Sequence, residues 1–381
     1  MTAARTLADA TTMRVGGQAE RWIEATTRDE VIAAYTAILA EDEPHLLLGG
    51  GSNTVASDEP FEGTVLRVAT RGIRTLPAAE RPHRPAGEDA PVDDAVALRI
   101  EAGESWDALV ERAVEESLTG IEALSGVPGS VGAAPIQNIG AYGQEVSSTL
   151  QGIELLDAET LEVRQVPASE LRLGYRDSAI KRGLLRGVVL SVDLRLRRSP
   201  DGRSQPVAYQ QLASALGVEL GTRVPLDDVR SSVLALRSSK GMVLSDDPDS
   251  VSAGSFFTNP IVSARFAATL PEDVPRWSTA PAPQATVLPL DADTAVPSLD
   301  RPVPQVKLSA AWLIEHAGIG RGFSLPGSRA AISSKHTLAL TNRGGATGEQ
   351  IAELARFVQA RVENQFGVHL VPEPVLVGLP L

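Results

Sequence analysis

The chain has 381 residues, of which 43% are hydrophobic and 22% charged, and its formal net charge is −13. That size and balance fit a globular protein of roughly two to three domains with a sizeable core. The acidic excess argues against a general nucleic-acid or anionic-membrane surface, and the lack of cysteine removes disulfides, thiolate metal sites and cysteine nucleophiles together.

Residues 1–14 hold no apolar centre, so no secretory signal is expected, and no apolar run approaches the roughly 18 residues that span a bilayer. A soluble, cytoplasmic protein is the expectation. A strand is expected over 19–25. A helix follows, with Thr27 and Glu30 as a capping box, Val31, Ile32, Tyr35, Ile38 and Leu39 on one face, and Pro44 as its end. Residues 45–48 read as a buried strand that runs directly into Gly49-Gly-Gly-Ser-Asn-Thr54. Backbone N–H groups, a hydroxyl and an amide in that order suit a pyrophosphate. The run is neither a P-loop nor G-x-G-x-x-G, and a plain tight turn explains it as well.

Strands are expected at 64–68 and 96–101. The Pro-, Ala- and charge-rich stretch 77–94 between them reads as an exposed insertion without chemistry. Ser105 caps a helix with Trp106, Leu109, Val110, Ala113 and Val114 inward, ending near Gly120. Then comes an uncharged stretch, 126–143, with five glycines and two prolines, including Pro-Ile-Gln-Asn-Ile-Gly-Ala-Tyr-Gly143. Such a run fits backbone approaching a bulky group with its N–H groups turned toward it; a buried pair of turns is the bland alternative. Strands are expected at 152–157, 162–166 and 188–196, and the Asp201-Gly202 turn marks a boundary. Helices are expected at 209–216, 229–237, 309–317 and 347–366. The last carries the Thr347–Gln350 capping box and Gly367 as its stop. The stretch 266–306 reads as a long mobile loop.

Ala253-Gly-Ser-Phe-Phe-Thr-Asn-Pro260 places one hydroxyl among apolar residues after a glycine. It lacks the G-x-S-x-G of a nucleophile elbow, and the five histidines offer neither a triad partner nor metal spacing, so no metal site is expected. A serine so placed is a buried turn residue, or a proton donor to a very strong base. Tyr175-Arg-Asp-Ser178 and Arg237-Ser-Ser-Lys240 supply cations, and Val371-Pro-Glu-Pro-Val375 holds a carboxylate between two prolines. Taken singly, each of these is commonly structural.

Together they carry more. Gly49-Gly-Gly-Ser-Asn53, the 126–143 stretch, Tyr175-Arg-Asp-Ser178, Gly254-Ser-Phe-Phe-Thr-Asn-Pro260 and Pro372-Glu-Pro374 resemble, in the same order, the motifs of the UDP-N-acetylmuramate dehydrogenases, also called UDP-N-acetylenolpyruvoylglucosamine reductases. The resemblance covers roughly residues 10–380. The stretches 77–94 and 266–306 look like insertions, and Thr54 begins a less typical continuation. The resemblance implies an α+β protein: a two-lobed FAD-binding domain of PCMH/VAO-like kind over 1–198 (lobes 1–68 and 69–198), then a smaller α+β substrate-binding domain over 199–381 whose final strand returns to the first lobe. It implies FAD and NADPH as cofactors and a UDP-N-acetylglucosamine enolpyruvyl ether as substrate, with neither nucleic acid nor membrane insertion. It implies catalytic roles for Arg176, Ser255 and Glu373. It implies cofactor contacts for Gly49, Gly50, Gly51, Ser52, Asn53, Gly129, Ser130, Gly132 and Asn138, and substrate contacts for Tyr209, Lys240 and Asn259. Two other readings stand beside it: a flavin-dependent oxidase on the same fold, and a non-enzymatic sensor of flavin or sugar nucleotide.

Overall fold

The computed structural model describes residues 5–77, 94–279 and 304–381. The chain begins with a small parallel sheet. Strand β1 (Ala19–Ala25) leads into helix α1 (Arg28–Glu41), then β2 (His45–Leu48), β3 (Thr54–Ala56) and β4 (Phe61–Val68). The sheet order is β1-β4-β2, both pairings parallel. The Thr27–Glu30 capping box forms and starts α1 as expected; the helix stops at Glu41, with Asp42 left-handed at its end, two residues before Pro44.

A larger antiparallel sheet follows. Its strands are β5 (Ile73–Thr75), β6 (Ala95–Glu101), β7 (Leu150–Asp157), β8 (Val163–Pro167) and β9 (Gly187–Arg198), in the order β8-β7-β9-β6-β5, with Leu118–Thr119 pairing the end of β9. Helix α2 (Trp106–Glu115), capped by Ser105, buries Trp106, Leu109, Val110, Ala113 and Val114. All of these but Val114 join α1 and the inner face of the sheet in one hydrophobic cluster that runs from Ala25 to Leu196. The alternation of apolar residues along β7 and β9 buries one face against that cluster.

Helices α3 (Gln210–Leu216) and α4 (Leu226–Ser239) come next. They pack on the large-sheet side of the molecule. Arg230 of α4 is bidentate to Asp107 of α2 (2.7 and 3.1 Å), and Val207, Leu212, Val229 and Val233 cluster with Ala123. The last part of the chain builds a second core around α5 (Ala310–His316) and α6 (Gly348–Phe366). Here β10 (Ile261–Ser263), β11 (Arg276–Ser278) and β12 (Gln305–Leu308) form a three-stranded sheet, and β13 (Ala330–Ile332) pairs β14 (Leu340–Asn342). The long loop expected over 266–306 is thus replaced, in its described parts, by the end of a short helix and by β11 and β12; residues 280–303 lie outside the described residues. So does most of the insertion expected at 77–94, since 78–93 are not described.

The two cores are stitched together by both ends of the sequence. Met13 and Val15 belong to the second core, and Asn342 donates to the carbonyls of Met13 (3.1 Å) and Arg14 (3.2 Å). Strand β15 (Val375–Val377) pairs in parallel with β3, beside the small sheet. Among the described residues no helix is long and apolar enough to cross a membrane.

Candidate active site

Two glycine-rich turns meet backbone to backbone. The first follows β2 at residues 49–53; the second runs from Gly126. A Cβ on Gly50 would lie 2.7 Å from the Cα of Gly129, and one on Gly49 would lie 2.2 Å from the Ser130 hydroxyl. No side chain fits between the turns, which is why glycine is needed there. Gly51 has φ +63°, and the Ser52 hydroxyl donates to the Pro128 carbonyl at 3.1 Å, tying one turn to the other. Among the described residues, the amides of Gly50, Gly51, Ser52, Gly129 and Ser130 find no acceptor. Converging amides without partners are an anion cradle.

These turns floor a cleft of about 380 Å³ whose other walls come from distant parts of the chain. Arg176 sits in a tight turn closed by Gly174 and Asp177, with φ 53°. Its guanidinium donates to the carbonyls of Asn138 (3.3 Å) and Gly140 (2.7 Å). Its Nε forms an ion pair with Glu373 Oε1 at 3.1 Å, but at an angle that makes no hydrogen bond, so among the described residues this buried N–H has no hydrogen-bond partner. A buried, charged donor without an acceptor is costly unless a ligand completes it.

Glu373 is fixed from several sides. Its amide donates to Phe256 O at 2.8 Å, and Thr258 N donates to Val371 O at 3.0 Å, so residues 371–373 run antiparallel to the segment just after Ser255. Two residues on, Val375 N donates to Asn53 O at 2.8 Å. Asn53 Nδ2 donates to Gln137 Oε1 (3.0 Å) and to the Glu373 carbonyl (3.2 Å), while Gln137 Nε2 donates to Glu373 Oε1 (3.2 Å). Burial pushes the Glu373 carboxyl up, against the pull of Arg176 and Lys181. Ser255 follows Gly254 (φ +74°) on the same cleft wall. Lys181 and Arg237 add two more cations to the lining. Arg237, almost fully buried, is held by the carbonyls of Gly126 (3.0 Å) and Met242 (2.9 Å). Crossed glycine turns, three cations, one raised carboxyl and one free-standing hydroxyl suit a bulky anionic cofactor facing an anionic substrate.

Comparison with known proteins gives the same reading from outside the chain. A family model described as UDP-N-acetylenolpyruvoylglucosamine reductase, C-terminal domain, matches residues 247–377, and an FAD binding domain model matches residues 19–164. The UDP-N-acetylenolpyruvoylglucosamine reductase of Leifsonia xyli subsp. xyli is 56% identical, with 100% of both chains covered. This chain belongs to the UDP-N-acetylenolpyruvoylglucosamine reductase family. Further reductases of that name are similar at 47% identity in Saccharopolyspora erythraea (98% of this chain, 95% of the relative) and 42% in Mycolicibacterium smegmatis (98% and 95%). The crystal structure of the reductase from Thermus caldophilus shares the fold, with a TM-score of 0.60 at 23% identity over 98% of this chain and 97% of that one.

Within this reductase-family cleft the structure gathers Gly49, Gly50, Gly51, Ser52, Asn53, Gly129, Ser130, Arg176, Ser255, Asn259 and Glu373. Four other expected contacts lie off its lining. Gly132 approaches Ala102, to whose carbonyl its amide donates at 2.8 Å. Asn138 is buried, donating to Glu145 and Gly174 and accepting from Ser147 N, all at 3.0 Å, so its polar atoms hold the scaffold. Tyr209 is 46% exposed and edge-on to Tyr142, and Lys240 lies over the Tyr142 ring and donates to Gln211 at 2.8 Å. That group flanks the wall made by Gly140 and Ala141. Asn259 Oδ1 accepts from Ala310 N at 3.0 Å, at the start of α5. Gln137 and Lys181 were given no role from the sequence, and Arg237 entered only as a cation of the Arg237-Ser-Ser-Lys240 run. A Gln inside an uncharged glycine-rich run, and an Arg three residues before Lys240, were the signals available.

Proposed function

We propose that this chain reduces the enolpyruvyl ether of a UDP-N-acetylglucosamine derivative to UDP-N-acetylmuramate, a step in making peptidoglycan precursors, with NADPH as reductant and FAD as carrier. Held in the cleft, FAD would supply the transfer of hydride from NADPH to C3 of the enolpyruvyl group. The unpartnered amides of the two glycine turns would hold the FAD pyrophosphate, with Gly49–Asn53 on one side and Gly129–Ser130 on the other. The remaining steps fall to this chain's own side chains. Reduction at C3 drives negative charge onto C2 and the adjoining carboxylate. Arg176 would bind that carboxylate and stabilise the developing charge. Glu373, raised by burial and anchored by Gln137, would fix the guanidinium by its Nε edge. Ser255 would deliver its proton to C2, because a C2 carbanion is basic enough to take one from an alcohol. Tyr209, Lys240 and Asn259 would contact the sugar nucleotide as it enters past Gly140. The cofactor-binding part is taken to run to about Arg198 and the substrate-binding part to follow it. Nucleotide-linked substrate and NADPH place the reaction in the cytoplasm.

The observation that carries this reading is the buried Arg176–Glu373 ion pair (3.1 Å) with Ser255 in the cleft floored by the crossed glycine turns. The test separates the two half-reactions. In Ser255→Ala, anaerobic bleaching of the flavin by NADPH should stay near the parent rate. Re-oxidation by the enolpyruvyl sugar nucleotide should slow by about 10²–10⁴-fold. Equal losses in both halves would remove Ser255 as the proton donor.

A further inference from the structure

A second cavity, of about 310 Å³, shares no lining residue with the cleft. One wall is strand β9; another is the segment 204–208 that leads to Tyr209 and α3. Earlier on β9 and on its neighbour β7 the charges are matched. Asp193 accepts two 2.7 Å bonds from Arg99, and Glu154 of β7 accepts from Arg28 and Ser191. Arg195 and Arg197 come next on the same face, since side chains alternate along a strand. Both line the cavity, and among the described residues neither makes an ion pair or a side-chain hydrogen bond. The one carboxylate in the wall, Glu122, is 1% exposed and already accepts from Thr119 Oγ1 (2.7 Å), Gly120 N (2.6 Å) and Gln205 N (2.7 Å).

We propose that this cavity is an anion site, separate from the cleft, that takes a small phosphorylated metabolite between Arg195 and Arg197. Strand geometry sets their Cα atoms about 7 Å apart, which lets two guanidinium forks grip one phosphate or diphosphate from neighbouring sides. Arginine rather than lysine at both positions favours a planar, bidentate grip on oxyanions. A volume near 310 Å³ admits a small metabolite and is small for a nucleotide. Pro206, Val207 and Leu212 offer an apolar surface for its carbon skeleton. The occupant would rest against Ala208, the residue before Tyr209.

The test is a calorimetric titration of the FAD-loaded protein with inorganic pyrophosphate, inorganic phosphate and citrate. One site for pyrophosphate is expected, with phosphate weaker and citrate weakest. Arg195→Gln and Arg197→Gln should each weaken pyrophosphate about tenfold. The double variant should abolish binding while FAD content and uninhibited turnover stay at parent values. Unchanged affinity in the double variant, no binding at millimolar pyrophosphate, or citrate binding as tightly as pyrophosphate would each overturn the assignment. If the double variant does not fold, the two single variants decide the question, since neither weakening the affinity is equally fatal.

Discussion

Arg176 occupies a left-handed backbone conformation that costs a non-glycine residue about 1 kcal/mol, and its two carbonyl contacts offset that cost while holding the guanidinium against Glu373. The sequence motif around it was readable; the backbone twist that directs it was not, because Arg is not a residue that signals positive φ. Gln137 was hidden for a different reason. Its partners, Asn53 and Glu373, lie 84 and 236 positions away, and nothing local says which amide of the Gln-Asn pair reaches them. Asn138 drew the functional reading and turned out to brace the scaffold. His336 supports a prediction at this scale. Burial, reinforced by Lys240 and Arg321 and opposed by Glu315, lowers its pKa from 6.5 to about 4. The unfolded chain therefore takes up a proton below pH 6.5 that the folded protein refuses, so this stability is present above 6.5 and is lost as pH falls toward 4. In denaturant titrations, His336→Gln should gain on the parent by about 2–3 kcal/mol between pH 7 and pH 4.5. A gap that stays constant across that range would mean His336 is not held neutral.

Among the elements, helices with capping boxes were the most legible, since Thr27–Glu30 and Thr347–Gln350 announce their own starts. The partner of a helix is another matter. Helix α4 reads as amphipathic, but its docking on α2 through Arg230 and Asp107 depends on residues 123 positions apart. The glycine turns were recognised as unusual, yet which glycine is indispensable follows only from the contacts. Gly51 and Gly202 share φ +63°. A Cβ on Gly51 would fall 1.9 Å from the Ala10 carbonyl oxygen, whereas one on Gly202 meets nothing within 4 Å. Gly202→Ala should cost only the left-handed penalty, about 1 kcal/mol. Gly51→Ala should cost several times more and leave the purified protein with little bound FAD. Melting temperatures and the ratio of flavin to protein absorbance measure both; equal effects of the two substitutions would show that the clash at Ala10 is relieved at no cost.

For the molecule as a whole, the decisive joint is the parallel pairing of β15 with β3. It holds Glu373 against Asn53, and so sets the carboxylate against the first glycine turn. Val375→Pro removes the N–H that bonds Asn53 O at 2.8 Å. We expect lower thermal stability together with loss of FAD on gel filtration and a fall in kcat. Lower stability with full flavin and unchanged kcat would show that the pairing supports only the second core. The family membership and the α+β class were legible because each rests on local motifs. The interleaving of the two cores was not, because Met13 and Val15 look like any apolar residues near the start of a chain.

That joint also has a temporal side. Asn53 and Glu373 stand 320 positions apart, so a growing polypeptide displays its first glycine turn long before the strand that seals it has been synthesised. Until then the open flank of β3 is an unsatisfied template, attractive to any stray extended segment. Vitamin-derived ligand and late-arriving strand must therefore converge on one half-finished nest, and whichever comes second locks the other in place.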